Sequence, residues 1–170
     1  MNTTGTVDAQ LKYIITKIDI EYYTVIKDLN YRIAAALAAA GDVPGEYYEL
    51  CRELSEVVKT LVAMRQSSLL PYLDELQRKK ADGHNCIACS GGCKVQHNMY
   101  LVDIAGSHTQ LKQMIGHIDR ARILADPYEA QGMVHLYETA LVNTLLDLFE
   151  VEAKQLVPQI VQTQKAINAH

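Results

Sequence analysis

Tryptophan is absent and phenylalanine occurs once, so the aromatic content rests on ten tyrosines, side chains that cover the edge of an apolar core while the hydroxyl reaches water. No apolar run approaches the roughly 18 residues that would cross a bilayer, which argues against a membrane-spanning protein. Lys and Arg are scattered among acidic residues and the net charge is -4, so the basic block that would point to nucleic acid or an anionic membrane surface is missing. The start, Met-Asn-Thr-Thr-Gly-Thr, lacks the basic and apolar regions of a signal peptide, and a cytoplasmic location is expected. No nucleophile with a paired base, phosphate-cradling glycine loop or carboxylate pair at catalytic spacing is recognisable. No enzyme class follows from the motifs.

What the chain does have is helical periodicity. Leu11, Ile15, Ile18, Tyr22, Val25 and Leu29 recur at alternating spacings of four and three, one face of a helix packed along a bundle. The alanine-rich stretch to Ala40 extends it and Gly41 caps it, giving a helix over 8–40. A second is predicted over 46–81, with Leu50, Leu54, Val57, Leu61 and Met64 on its inner face and Pro71 interrupting it. A third covers 96–124, carrying Leu101, Ile104, His108, Leu111, Ile115 and Ile118. The fourth covers 127–165, opened by Asp126-Pro127-Tyr128-Glu129, where Asp is an N-cap and Pro sits in the first turn. Long helices joined by short turns predict an all-α, up-down-up-down four-helix bundle formed as one domain over 1–170.

Between the second and third helices, over 82–95, lies the chemically dense stretch His84-Asn85-Cys86-Ile87-Ala88-Cys89-Ser90-Gly91-Gly92-Cys93-Lys94-Val95-Gln96-His97. Three of the four cysteines fall there. In a reducing compartment such a group is metal-binding or redox-active more often than a disulfide framework. Cys86, Cys89 and Cys93 read CxxCxxxC, and His97 would complete a Cys3His set for zinc; His84 is the alternative fourth ligand. Free backbone amides at Ser90, Gly91 and Gly92 suit an iron-sulfur cluster as well, so the metal stays open between the two. The remaining alternatives are a redox-active dithiol and unliganded reduced thiols. Cys51 lies 35 residues before Cys86, about 50 Å along a helix, and reads as a small core residue. His117 and His135 read as rim histidines, and His170 is terminal.

A resemblance enters with two apolar-apolar-Pro elements, Leu69-Leu70-Pro71 and Leu156-Val157-Pro158, and with Ser107-His108-Thr109-Gln110-Leu111. The chain resembles the hemerythrin-like, HHE-type cation-binding bundles, in which a histidine and an acidic residue precede a Leu-Phe-Pro element in two helices and a further histidine opens the third. That resemblance implies the bundle fold and makes His108 a second candidate ligand. Leu61 to Gln66 offer no histidine or glutamate ahead of Pro71, and Phe149 and Ala153 fall where ligands would precede Pro158. Only His108 carries over.

Three functions remain in view. One is a metal-binding bundle with a structural or redox-sensing role at the cysteine loop. A second is a non-heme iron protein with oxygen or peroxide chemistry inside the bundle, using His108 with Asp19, Glu21 or Asp147. The third is a helical interaction module with incidental cysteines, whose long amphipathic faces leave a homodimer open.

Overall fold

The computed structural model describes residues 4–125 and 132–168 of the chain, and the described residues contain helices and turns but no strand. Four long helices form an all-α bundle. The first, α1, covers residues 4–40 and is built from an α-helix Thr4–Lys17, a π-helix Ile18–Tyr23 and an α-helix Thr24–Ala40. Next, α2 covers residues 46–81 as Glu46–Met64, a π-helix Arg65–Leu69 and Leu70–Ala81. Helix α3 is the uninterrupted Gly92–Leu124. Finally, α4 covers residues 133–168 as Met133–Val151, a π-helix Glu152–Leu156 and Val157–Asn168. The expected fourth-helix start at Asp126-Pro127-Tyr128-Glu129, and His170, lie outside the described residues.

Helix α1 packs against α2 and α4, while α3 closes on α2 and, less extensively, on α4. One continuous apolar cluster fills the centre, from Leu11 and Ile14 through Leu54, Ile104, Ile118 and Leu145 to Ile167. Gly41 ends α1 with φ 71°, the left-handed conformation that glycine adopts without steric cost. The α2–α3 connection and the end of α4 share one end of the bundle, where the Cys86 thiol donates to Asn168 Oδ1 at 2.8 Å.

The π-helices among the described residues bear on the predicted inner faces. A π-turn widens the helix to an i→i+5 ladder, so core residues on either side of it are no longer in plain α register. In α1, Ile18 and Tyr23 are buried and the inner face continues through Ile26, Ile33 and Leu37. Val25, expected inside, is 40% exposed. In α2, Met64 stands just ahead of the π-turn and is 48% exposed, because the face through Cys51, Leu54, Val58 and Leu61 continues in plain α register to Arg65, which takes the inward position.

Two of these turns have a common cause. Each begins six residues ahead of a proline, Pro71 or Pro158. Proline lacks an N–H and crowds the carbonyl four residues earlier, which here belongs to Ser67 and Lys154, the middle residues of the two π-turns. In α1 there is no proline; the Thr24 backbone N–H and its Oγ1 both donate to the Asp19 carbonyl.

The third helix begins at Gly92, four residues earlier than its periodicity suggested. Cys93 therefore belongs to its first turn, and the connecting loop is confined to 82–91.

Candidate metal centre

The loop folds by a succession of tight turns. Past the end of α2, Gly83 has φ 63° and the His84 N–H donates to the Lys79 carbonyl at 2.9 Å, which fixes His84 just beyond the helix. Asn85 Oδ1 then accepts from the Ile87 N–H at 2.8 Å, a side chain mimicking a backbone turn. Gly91, with φ 80°, turns the chain into α3, and the Gly92 N–H reaches the Cys89 carbonyl at 3.0 Å. In this turn two successive residues, Ser90 and Gly91, have positive φ.

These turns bring four ligand atoms together. His84, Cys86, Cys89 and Cys93 each present one atom, and all four atoms lie within 4.8 Å of one another, so the group could hold a metal ion. The sulfurs of Cys89 and Cys93 are 3.4 Å apart, and His84 Nε2 is 3.4 Å from Cys93 Sγ. A tetrahedral zinc ion with zinc–sulfur bonds of about 2.3 Å holds its ligands about 3.8 Å from one another, so only small adjustments separate this arrangement from coordination. Cys93 is buried; the other three are half-buried.

The electrostatics favour deprotonated sulfur at Cys89. Hydrogen bonds from the Cys93 backbone N–H, from His84 and from the Cys93 side chain bring the Cys89 thiol down to about 6. Cys93 goes the other way, raised by burial and by its hydrogen bond with Cys89, while Lys79, with Nζ 3.4 Å from the Cys93 sulfur, opposes the rise.

His97, the expected completion of the set, stands outside this group: its Nδ1 faces the Tyr72 hydroxyl at 3.3 Å, and burial lowers its pKa. The early start of α3 places Cys93 on the helix, and His97 lies a full turn farther along it. His84, the alternative, is the histidine that meets the cysteines. Cys51 is fully buried, and burial pushes its thiol up to about 12.

His108 is on the inner face as its spacing predicts, and its surroundings differ from the expected iron site. Its Nε2 lies 2.6 Å from Glu152 Oε2. Arg65 Nε donates to Glu152 Oε1 at 3.0 Å and Nη2 to Oε2 at 3.3 Å; Nη1 reaches Asp103 at 2.8 Å and Nη2 reaches Ser107 Oγ at 2.7 Å. The Tyr23 hydroxyl donates to Glu152 Oε1 at 2.8 Å. Arg65 is 1% exposed and Glu152 0%. Burial raises the Glu152 pKa, but the His108 hydrogen bond and the Arg65 charge outweigh it and hold the carboxyl below its ordinary range.

A guanidinium therefore supplies the positive charge beside His108, which matches a core histidine hydrogen-bonded to a neighbour rather than the alternative of a ligand to an ion. Of the carboxylates expected to help, Glu21 and Asp147 are exposed and Asp19 accepts from Gln66 Nε2 at 3.0 Å. Arg65 and Glu152 went unnoticed because isolated charges read as solvent-facing. Their shared distance from a proline was the available signal.

Among the described residues no helix is long and apolar enough to cross a membrane. Comparison with family models, with curated proteins and with solved structures finds no match for this chain.

Proposed function

We propose that this protein is a zinc-binding helical bundle in which His84, Cys86, Cys89 and Cys93 hold one ion as a structural centre. The observation that carries the reading is the convergence of the four ligand atoms within 4.8 Å. One ion with four N/S ligands matches that compactness; a polynuclear iron-sulfur cluster offers its ligands to different iron atoms and needs them farther apart. The ion would join the end of α2, the loop and the first turn of α3. Cys86, through its contact with Asn168, brings the end of α4 to the same place. The hemerythrin-like resemblance enters the proposal only as a reading of the frame. Arg65 on Glu152 speaks against a second ion inside it, since another cation there would meet a buried positive charge.

Metal analysis of anaerobically purified protein tests the proposal, with one equivalent of zinc expected. His84→Ala should weaken zinc by more than the roughly 10- to 100-fold that loss of a mere supporting partner costs, while His97→Ala should leave zinc bound. Less than about a tenth of an equivalent of any metal after reconstitution with zinc, or equal effects of the two histidine variants, would sink the reading; thiolate and imidazole ligands at this spacing bind zinc in stoichiometric amounts.

A further inference from the structure

The cluster contains three cysteines, and a two-electron oxidation can join only two of them. We infer that Cys89 and Cys93 form an oxidation site for hydrogen peroxide or a related hydroperoxide, and that their disulfide expels the ion from the cluster. This rests on the zinc reading for its second half alone; the choice of pair stands on the positions of the sulfurs.

Those positions are unequal. Cys89 Sγ and Cys93 Sγ are 3.4 Å apart, close enough for small side-chain rotations to bring them into bonding range. The Cys86 thiol points to the end of α4, donating to Asn168 Oδ1 at 2.8 Å, so joining it to either partner would break that tie. Access is unequal as well: Cys89 is half-buried and Cys93 buried. A surface depression beside the loop reaches Cys86 and Asn168 and is lined by neither Cys89 nor Cys93, so the half-exposure of Cys89 itself is what admits a small oxidant.

The chemistry balances with the peroxide as the only added reactant. The Cys89 thiolate attacks one peroxide oxygen; an S–O bond forms, the O–O bond breaks, and hydroxide leaves with the electron pair. Cys89 is then a sulfenic acid. The Cys93 thiolate attacks that sulfur, the S–S bond forms, and a second hydroxide departs. Two sulfurs have together lost two electrons, and one peroxide has become, with two protons, two waters. Half of the four ligands are consumed. A zinc ion left with His84 and Cys86 has lost the tetrahedral set that retained it, and a dithiol reductant restores the site.

Wild-type protein tests this directly, because cleavage after Lys80 and Lys94 puts all three loop cysteines into one peptide, residues 81–94. Zinc-loaded protein is treated with hydrogen peroxide, free thiols are alkylated, and the unreduced peptide is fragmented in a mass spectrometer while a chromogenic chelator follows released zinc. The expected result is one alkyl group on Cys86, a Cys89–Cys93 link, and one zinc released per disulfide. In metal-free protein, Cys86→Ser should still form the Cys89–Cys93 link, whereas Cys89→Ser should slow thiol loss to peroxide by about tenfold or more, as loss of the attacking thiol requires. A link that includes Cys86, or zinc release with no link, overturns the inference. If the link forms as stated but unoxidised protein never held zinc, the structural zinc reading falls and the pair assignment survives; if zinc is held and the link is elsewhere, the reverse holds.

Discussion

The cysteine loop gathers a histidine and ionisable partners from one short stretch and the Arg65–Glu152 network gathers them from all four helices, and the two settle their charge in opposite ways. In the network, one carboxylate receives hydrogen bonds from Arg65 and Tyr23 and a close contact from His108, and the cation belongs to the protein. At the loop, the sulfurs face one another and His84, and the one cationic side chain bonded to them is Lys79. A buried group whose charge is already answered has no need of a ligand; a set of converging donors with little to bind has one. The network therefore reads as an internal brace and the loop as a binding site, although both contain residues that bind metals in other settings.

Replacing Arg65 tests the first half of that contrast most severely. Arg65→Met leaves Glu152 buried without its cation, and a loss of about 3–5 kcal/mol is expected in urea unfolding. Adding Glu152→Leu to that variant should restore most of the loss, since a buried pair replaced as a whole costs little. A loss of under about 1 kcal/mol in the single variant would place the pair with exposed ion pairs and erase the distinction.

The loop should respond to something the network ignores. With free zinc held a hundred to a thousand times above the dissociation constant, a strong chelator should lower stability by about 3–4 kcal/mol, and Arg65→Met should lose a similar amount on chelation. If the chelator changes neither variant, the loop contributes nothing through metal and the contrast collapses.

A third, smaller effect comes from pH. Glu152 has its folded pKa below its ordinary value of 4.5, so its contribution is fully present above the ordinary carboxylate range and is lost as pH falls through the folded value. Glu138, also on α4, is buried and raised instead, burial outweighing Arg122 and Tyr47. Its sign is opposite: stability attributable to Glu138 falls as pH rises from the ordinary range through its folded value. Unfolding curves between pH 3 and 7, roughly the span of carboxylate titration, should show Glu152→Gln and Glu138→Gln departing from wild type with slopes of opposite sign. Slopes of the same sign would mean that the two buried carboxylates are held alike.

Much of this was legible in the residues. The four-three spacing of Ile104, His108, Leu111, Ile115 and Ile118 gave the inner face of α3, all five of which are buried, because that helix has no π-turn to disturb its register. Spacing failed at Val25, beyond the π-turn of α1, since a local pattern of apolar residues carries no mark of a widened turn; it failed at Met64 because the buried face runs through Cys51, Leu54, Val58, Leu61 and Arg65, and a charged residue on that face is not read as inward. The cysteine group was legible from density alone. Its fourth member was not, because choosing between His84 and His97 depends on where α3 starts, and two glycines at 91 and 92 leave that boundary open in a linear reading.

The three π-turns also bear on how the chain tolerates changes of length. Each holds one more residue than an α-turn needs, so a one-residue deletion inside 65–69 could be absorbed by ordinary helix and leave α2 unbroken. Everything beyond it would keep its facing relative to Arg65, because five residues of a π-turn and four of an α-turn each make about one revolution, whereas the same deletion within Glu46–Met64 would turn the rest of the rod by about 100°. The widened turn is a slack point: there the rod can lose a residue and still aim a charge at the centre in one half and deliver the cysteine loop to the end of α4 in the other.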